Sequence, residues 1–308
     1  MNKIRLGTRG SPLALWQANH VAERLRPVLQ PMELELVIIE THGDQIQDQA
    51  LASMGGFGVF TKALQQALLR NEIDLAVHSL KDLPTIEIPD LRLAAVPTRG
   101  SISDCFLSKK YARLDDVPAN GVVGTSSLRR RAQLLYHRPD LQLVNLRGNL
   151  HTRIRKIESE NLDGIILAQA GLERLSLSEE ITEILPQSWM LPAVGQGAIG
   201  IECRSSDELT IHYVTALIDY KDYRTVLGER ALLSALGGGC LVPIGVSSEV
   251  RVDTLKMRAA VLSPDGKRRI VHTREGPIAN SIQLGFELAA ELINDGANEI
   301  LTLSHPSS

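Results

Sequence analysis

Residues 3–18 read KIRLGTRGSPLALWQA, and this stretch decides the fold. Ile4 and Leu6 make a short buried strand that runs into Gly7-Thr8-Arg9-Gly10-Ser11, after which Pro12 opens a helix. Ser11 is a good N-cap, and Pro12 suits the first helical turn, where a missing N–H costs nothing. Ala14, Ala18, Val21 and Leu25 share one face of the helix, and Pro27 is expected to stop it. A strand feeding a turn and then an amphipathic helix is the opening of a βαβ unit.

The same device recurs further on. A strand at residues 121–123 leads into Gly124-Thr125-Ser126-Ser127 and a helix whose core side is Leu128, Ala132 and Leu135. Other strands are expected at 34–40, 74–78, 91–96, 141–145 and 164–167, with a helical stripe at Phe60, Ala63, Leu64, Ala67 and Leu68. This rhythm predicts an α/β fold of two lobes, each with a largely parallel sheet. The apolar run LPAVGQGAIGIECR, residues 191–204, is expected to cross back into the first lobe. Beyond it the pattern changes. A helix over 223–236 ends at Gly237-Gly238-Gly239, alternating strands follow, and Pro264-Asp265-Gly266-Lys267 marks a hairpin turn. A last helix is expected to turn Ile282, Phe286, Ala289 and Ile293 inward. The organisation read is residues 1–98 plus 199–218 as one lobe, 99–198 as a second, and 219–308 as a small α+β domain with an antiparallel sheet.

The 308 residues, 44% hydrophobic and 22% charged, describe a globular chain long enough for two or three domains. A net charge of −3 and only 4% aromatic residues argue against a nucleic-acid binder. The cations are uneven, 24 Arg against 9 Lys. Arg grips carboxylates and phosphates through two parallel hydrogen bonds, although surplus Arg also simply decorates surfaces. Cys105, Cys203 and Cys240 are too few and too scattered for a disulfide framework or a metal centre. No signal-peptide pattern and no apolar run near the roughly 20 residues of a membrane span are present, so a cytoplasmic protein without a membrane partner is expected.

Each Gly-Thr turn leaves backbone N–H groups and hydroxyls at the positive end of a helix, a ready anion site. The alternative is that Ser11 and Ser126 or Ser127 only cap their helices. Arg129, Arg130 and Arg131 fan out by about 100° each, so one or two are expected to reach a cleft while the third is solvated. Arg9, Arg147, Arg153 and Arg174 also fall at or just beyond strand ends, where open α/β sheets bind ligands. Neither a Walker-type loop nor GxGxxG opens a helix, which favours a polycarboxylate over a nucleotide. Asp82, in DLAVHSLKDLP, reads alone as a turn aspartate; at a cleft mouth it would instead stabilise a developing cation and accept protons. Cys240, in LGGGCLVPIG, follows a helix C-terminus that disfavours a thiolate and has no His beside it. That setting suits an attachment point rather than a nucleophile, although an inert buried thiol is the commoner outcome for a lone cysteine.

Together GTRGSPLALWQA, AVHSLKDLP, GTSSLRRRAQL, NLRGN with TR, ILAQAGLERL, PAVGQGAIGIECR, ERA and GGGCLVPIG resemble the porphobilinogen deaminase family, in collinear order over essentially the whole chain. The resemblance implies two lobes like type II periplasmic binding proteins and a small third domain. It implies a dipyrromethane cofactor joined to Cys240 by a thioether, onto which four porphobilinogen units are added with loss of ammonia. Asp82 matches the family's catalytic aspartate. Arg9, Ser11, Arg129, Arg130, Arg147, Arg153 and Arg174 match receivers of acetate and propionate groups, and Ser79, Lys81, Thr125, Ser126 and Ser127 match further contacts. Gln196 is expected to line the cleft. A monomer is expected. Two departures stand out: in an expected lid, Phe57 stands where the family usually has a lysine and a basic residue often found near Ser53 is missing, and Leu241 replaces a usual glutamine. The competing reading is a non-enzymatic two-lobed protein that binds a polycarboxylate.

Overall fold

The computed structural model describes residues 3–40, 61–237 and 242–302. They fall into two compact units, Met1–Gly100 with Gly197–Tyr223, and Ser101–Gln196 with Arg224–Ser308.

The first unit is built on β1 (Lys3–Thr8), β2 (Glu33–Ile38), β3 (Leu75–Ser79), β4 (Leu91–Ala95) and β10 (Ile199–Arg204). Their order is β2-β1-β3-β10-β4, with β10 antiparallel to both of its neighbours. Alternation along β3 sends Leu75 and Val77 to the face covered by α1 (Pro12–Leu29) and α6 (Glu208–Thr215). Ala76 faces the opposite side, under α2 (Lys62–Leu69). Pro27 does not stop α1, contrary to expectation: the helix continues to Leu29, which is fully buried and pins the last turn.

The second unit contains β5 (Asp104–Leu107), β6 (Val122–Gly124), β7 (Gln142–Val144), β8 (Gly164–Ala168) and β9 (Glu183–Ile184). Their order is β7-β6-β8-β5-β9, with β5 reversed, and α3 (Leu128–His137), α4 (Leu150–Ser159) and α5 (Gln169–Arg174) follow the parallel strands. Taken strand for strand this is the order of the first sheet, including one reversed strand in the fourth position. A shared clasp underlines the duplication. Arg5 N–H donates to Asp74 Oδ2 at 2.9 Å while Asp74 N–H donates to Arg5 O at 2.8 Å. Val122 and Asp163 repeat both bonds at 2.7 and 2.8 Å. Both lobes thus have the type II periplasmic-binding-protein topology.

The rest of the second unit is a small α+β layer. β11 (Ile244–Arg251), β12 (Thr254–Leu262) and β13 (Arg269–Pro277) form an antiparallel sheet. It packs against α7 (Tyr220–Ala235), α8 (Ser281–Asn294) and α9 (Ala297–Thr302) around Leu232, Met257, Leu288 and Ile300. The inward face of α8 differs from the expected one. Ala289 is buried and Ile293 packs against the core, as expected, but Ile282 and Phe286 are exposed, and Leu284, Gly285, Leu288 and Leu292 are buried instead. The cause is Gly285, where a Cβ would run into the backbone carbonyl of Gly228 on α7; only that face allows the two helices to approach. This layer docks on the second lobe through Ala132, Leu191, Ala260 and Leu262, and Val246 N–H donates to Pro192 O at 2.8 Å.

Candidate active site

In the first unit the site residues gather where adjacent parallel strands end. β1 finishes at Thr8, whose buried hydroxyl donates to Ala14 O at 3.1 Å, and Arg9 and Ser11 follow. Ser11 Oγ accepts Ala14 N–H at 3.4 Å, so it caps α1, as the simpler reading had it. One accepted bond satisfies only one of the free amides at a helix start. β3 finishes at Ser79, and Leu80–Asp82 form a single 3-10 turn closed by Leu83 N–H on Leu80 O at 3.1 Å. Leu80 N–H also donates to Ala198 O at 3.0 Å, anchoring the turn beside β10. Lys81 is half-buried and Asp82 is exposed, which leaves the Asp82 carboxylate open to a ligand. Gln17, buried on α1, donates its side-chain amide to Ser79 Oγ at 2.8 Å and so braces the same turn.

In the second unit the equivalent strand ends carry most of the arginines. Thr125 is buried and accepts Ser127 N–H at 3.3 Å, and Ser127 caps α3 by accepting Arg130 N–H at 3.4 Å. Ser126 is not a cap: its hydroxyl donates to Leu146 O at 2.9 Å and accepts Leu146 N–H at 2.8 Å, joining the loops after β6 and β7. Arg153 Nε donates to Gly148 O at 2.7 Å, one turn into α4, which is capped by Asn149. Gly148, at φ +107, could not carry a side chain there without meeting Thr152. Arg147 lies in that turn, half-buried, and Arg174 ends α5, where burial lowers its guanidinium pKa.

Arg129 and Arg130 are 4% and 6% exposed, and both converge on Asp104, a residue not singled out from the sequence. Arg129 Nη1 donates to Asp104 Oδ2 at 2.7 Å and to Leu191 O at 2.6 Å. Arg130 Nε and Nη2 both donate to Asp104 Oδ1, at 3.1 and 2.7 Å, and its Nη1 donates to Ile166 O at 3.1 Å. Gln196 Nε2 adds bonds to Asp104 Oδ1 at 2.9 Å and Ile102 O at 2.7 Å. Burial pushes the Asp104 carboxyl up, but the attraction and hydrogen bonds of the two guanidiniums outweigh it and hold it well below the ordinary range. Arg131, the one of the three arginines with no expected binding role, is half-buried and donates to Leu143 O at 3.1 Å. The signal that could have found Asp104 is its position heading the apolar run DCFL: a charge at the head of a buried strand needs a partner, and arginines were in surplus.

Cys105 and Cys203 are fully buried in β5 and β10, and burial pushes their thiols up to about 12 and about 11. Both are therefore poor attachment points. Cys240 lies outside the described residues, as do Leu241, Ser53 and Phe57.

A family profile described as porphobilinogen deaminase, dipyromethane cofactor binding domain, matches residues 4–212, and one described as porphobilinogen deaminase, C-terminal domain, matches 223–294. The chain belongs to the porphobilinogen deaminase family. A porphobilinogen deaminase of Geobacter metallireducens is 48% identical over 303 residues, covering 97% of this chain and 94% of the relative. One from Pelotomaculum thermopropionicum is 47% identical, covering 97% and 96%. Among solved structures, a periplasmic substrate-binding protein of an ABC transporter from Coxiella burnetii shares 14% identity at TM-score 0.44, covering 70% of this chain and 91% of that one. The methionine-binding protein MetQ shares 13% identity at TM-score 0.44, covering 74% and 96%.

The family's dipyrromethane can be tested against the described residues. Pyrrole acetates and propionates require cationic and N–H donors. The second unit supplies them at the ends of β6, β7 and β8, and Arg129 Nε is a buried donor without a hydrogen-bond partner. An orphaned guanidinium donor is costly unless an acceptor reaches it, so the donor set fits a polycarboxylate. No helix among the described residues is long and apolar enough to cross a membrane.

Proposed function

We propose that the chain is a transferase that joins four porphobilinogen units head to tail on a covalently bound dipyrromethane primer and, as water cleaves the bond to the primer, releases the linear tetrapyrrole hydroxymethylbilane. The observation that carries this reading is 48% identity, over nearly the full length of both chains, to a relative named porphobilinogen deaminase. The non-enzymatic binding-protein reading is not favoured, because the matched relatives are named as deaminases.

Each addition breaks the C–N bond of an aminomethyl group, releases ammonia, forms one C–C bond and displaces one pyrrole proton. The dipyrromethane, when bound, supplies the pyrrole end at which the first of these bonds is made, and Cys240 is its attachment point through a thioether. Asp82 stabilises the positive charge that develops on the incoming unit as ammonia departs, and it takes up the displaced proton. Its turn is held at Ser79 by Gln17 and at Leu80 by Ala198, so the carboxylate needs little reorganisation. Arg9, Ser11, Ser79 and Lys81 receive carboxylates at the ends of β1 and β3. Thr125, Ser126, Ser127, Arg129, Arg130, Arg147, Arg153, Arg174 and Gln196 do so at the ends of the second sheet. This explains the Arg surplus, since each unit brings two more carboxylates. The enzyme works as a monomer in the cytoplasm, a location supported by three cysteines too scattered to form a disulfide framework. Incubation of the purified chain with porphobilinogen is expected to release ammonia and a linear tetrapyrrole; substrate recovered unchanged would overturn the reading.

A further inference from the structure

Asp104 carries no expected role in the sequence, yet it organises three expected binding residues, Arg129, Arg130 and Gln196, at once. It is fully buried, its two oxygens are divided between two guanidiniums, and Gln196 completes its shell. The division is unequal. Arg130 directs Nε, Nη1 and Nη2 inward, to Asp104 and to Ile166 O. Arg129 spends Nη1 on Asp104 and Leu191 O, keeps a 3.5 Å contact from Nη2 to Gln196 Oε1, and leaves Nε without a hydrogen-bond partner among the described residues. The carboxylate cancels one of two adjacent buried positive charges and, through its second oxygen, fixes the plane in which Arg129 presents its remaining donors. Gln133, one helical turn beyond Arg129, holds the same segment in place: its Nε2 donates to Leu191 O at 3.0 Å and its Oε1 accepts Leu191 N–H at 2.8 Å.

Resting on the transferase reading above, we propose that Asp104 is a positioning residue that aims Arg129 at a ligand carboxylate, while Arg130 serves as the brace that holds Asp104. The two arginines then share the binding of carboxylates unequally: Arg129 keeps more of its donors for the ligand, and Arg130 also holds Asp104 in place. A purely structural ion triad would need the carboxylate's charge but not the direction it imposes on Arg129.

The test uses full-length apo-protein incubated with porphobilinogen, and reads the rate of covalent loading by intact mass at a temperature where circular dichroism shows each variant folded. Asp104→Asn keeps the size of the side chain but replaces one acceptor oxygen with a donor, so one guanidinium is released. It is expected to load at least tenfold more slowly than the parent. Asp104→Glu keeps the charge and displaces it by one methylene. It guards against a failure of Asp104→Asn to fold with a buried uncompensated cation, and is expected to load at least threefold more slowly with a near-parental melting curve. Parental loading rates in the folded variants would overturn the proposal. Failure of the parent itself to load would instead overturn the transferase reading, so the two failures are distinguishable.

Discussion

Ser79 Oγ lies 2.8 Å from the side-chain nitrogen of Gln17, which ties the first helix to the turn that carries Asp82. Gln17 is 2% exposed and sits one residue before the buried stripe of α1 that begins at Ala18, so its amide cannot turn to water. Gln17→Leu removes the bond, and because Ser79 is half-buried its hydroxyl can turn to water, so the cost is about 0.5–1.5 kcal/mol. Turnover is expected to fall severalfold with it, because the Asp82 turn loses a brace. Denaturant melts alongside ammonia-release assays check this; unchanged turnover in a destabilised variant would confine Gln17 to folding.

Asp82→Asn removes the charge and the proton acceptor but keeps the shape. Asp82 is exposed, so the fold is expected to melt as the parent does. Ammonia release is expected to fall about 100-fold or more. A near-parental rate would take Asp82 out of the chemistry.

How far the sequence could be read depended on where each residue's partners lie. The helix after Ser11 was legible because its start is punctuated locally, by an N-cap and a proline within two residues. Its end was not, because the burial of Leu29 against the first sheet outweighs the local effect of Pro27. The strand ends next to Arg9 and Arg147 followed from the alternation of strands and helices, whereas Arg174 falls at the far end of α5. Asp104 did not follow from it, since its partners Arg129 and Gln196 lie 25 and 92 residues away. For α8, two apolar stripes fit a helix equally well, and the choice rests on one tertiary contact, Gly285 against Gly228.

Gly285→Ala should expose that contact. An added methyl meets the Gly228 carbonyl, and α7 and α8 must move apart, at a cost of about 1–3 kcal/mol. Loss of the small third layer's packing would lower the denaturation midpoint. A midpoint equal to the parent's would show that the helices separate freely.

Acid should unfold the protein in a defined direction. Burial pushes the Asp74 carboxyl up, but hydrogen bonds from Arg5 and Arg204 outweigh it and lower its pKa, as the guanidiniums do for Asp104. A carboxyl depressed in the folded state stabilises the fold above its unfolded pKa, about 3.9, and that stability is lost as pH falls through the folded value. Melting temperature is therefore expected to hold from neutral pH down to about 4 and to drop steeply below it. In Asp74→Asn the drop should be shallower and the neutral-pH melting temperature lower. An acid limb as steep as the parent's would remove Asp74 from it.

Covalent loading is the most direct measurement. Cys105 and Cys203 are buried with raised thiol pKa values, and Cys240 is the proposed attachment point of the primer. Intact mass spectrometry of the protein isolated with substrate present is expected to show two joined pyrrole units on the parent chain and none on folded Cys240→Ala. A parent chain at its bare polypeptide mass, or a Cys240→Ala chain that still carried pyrrole, would contradict it.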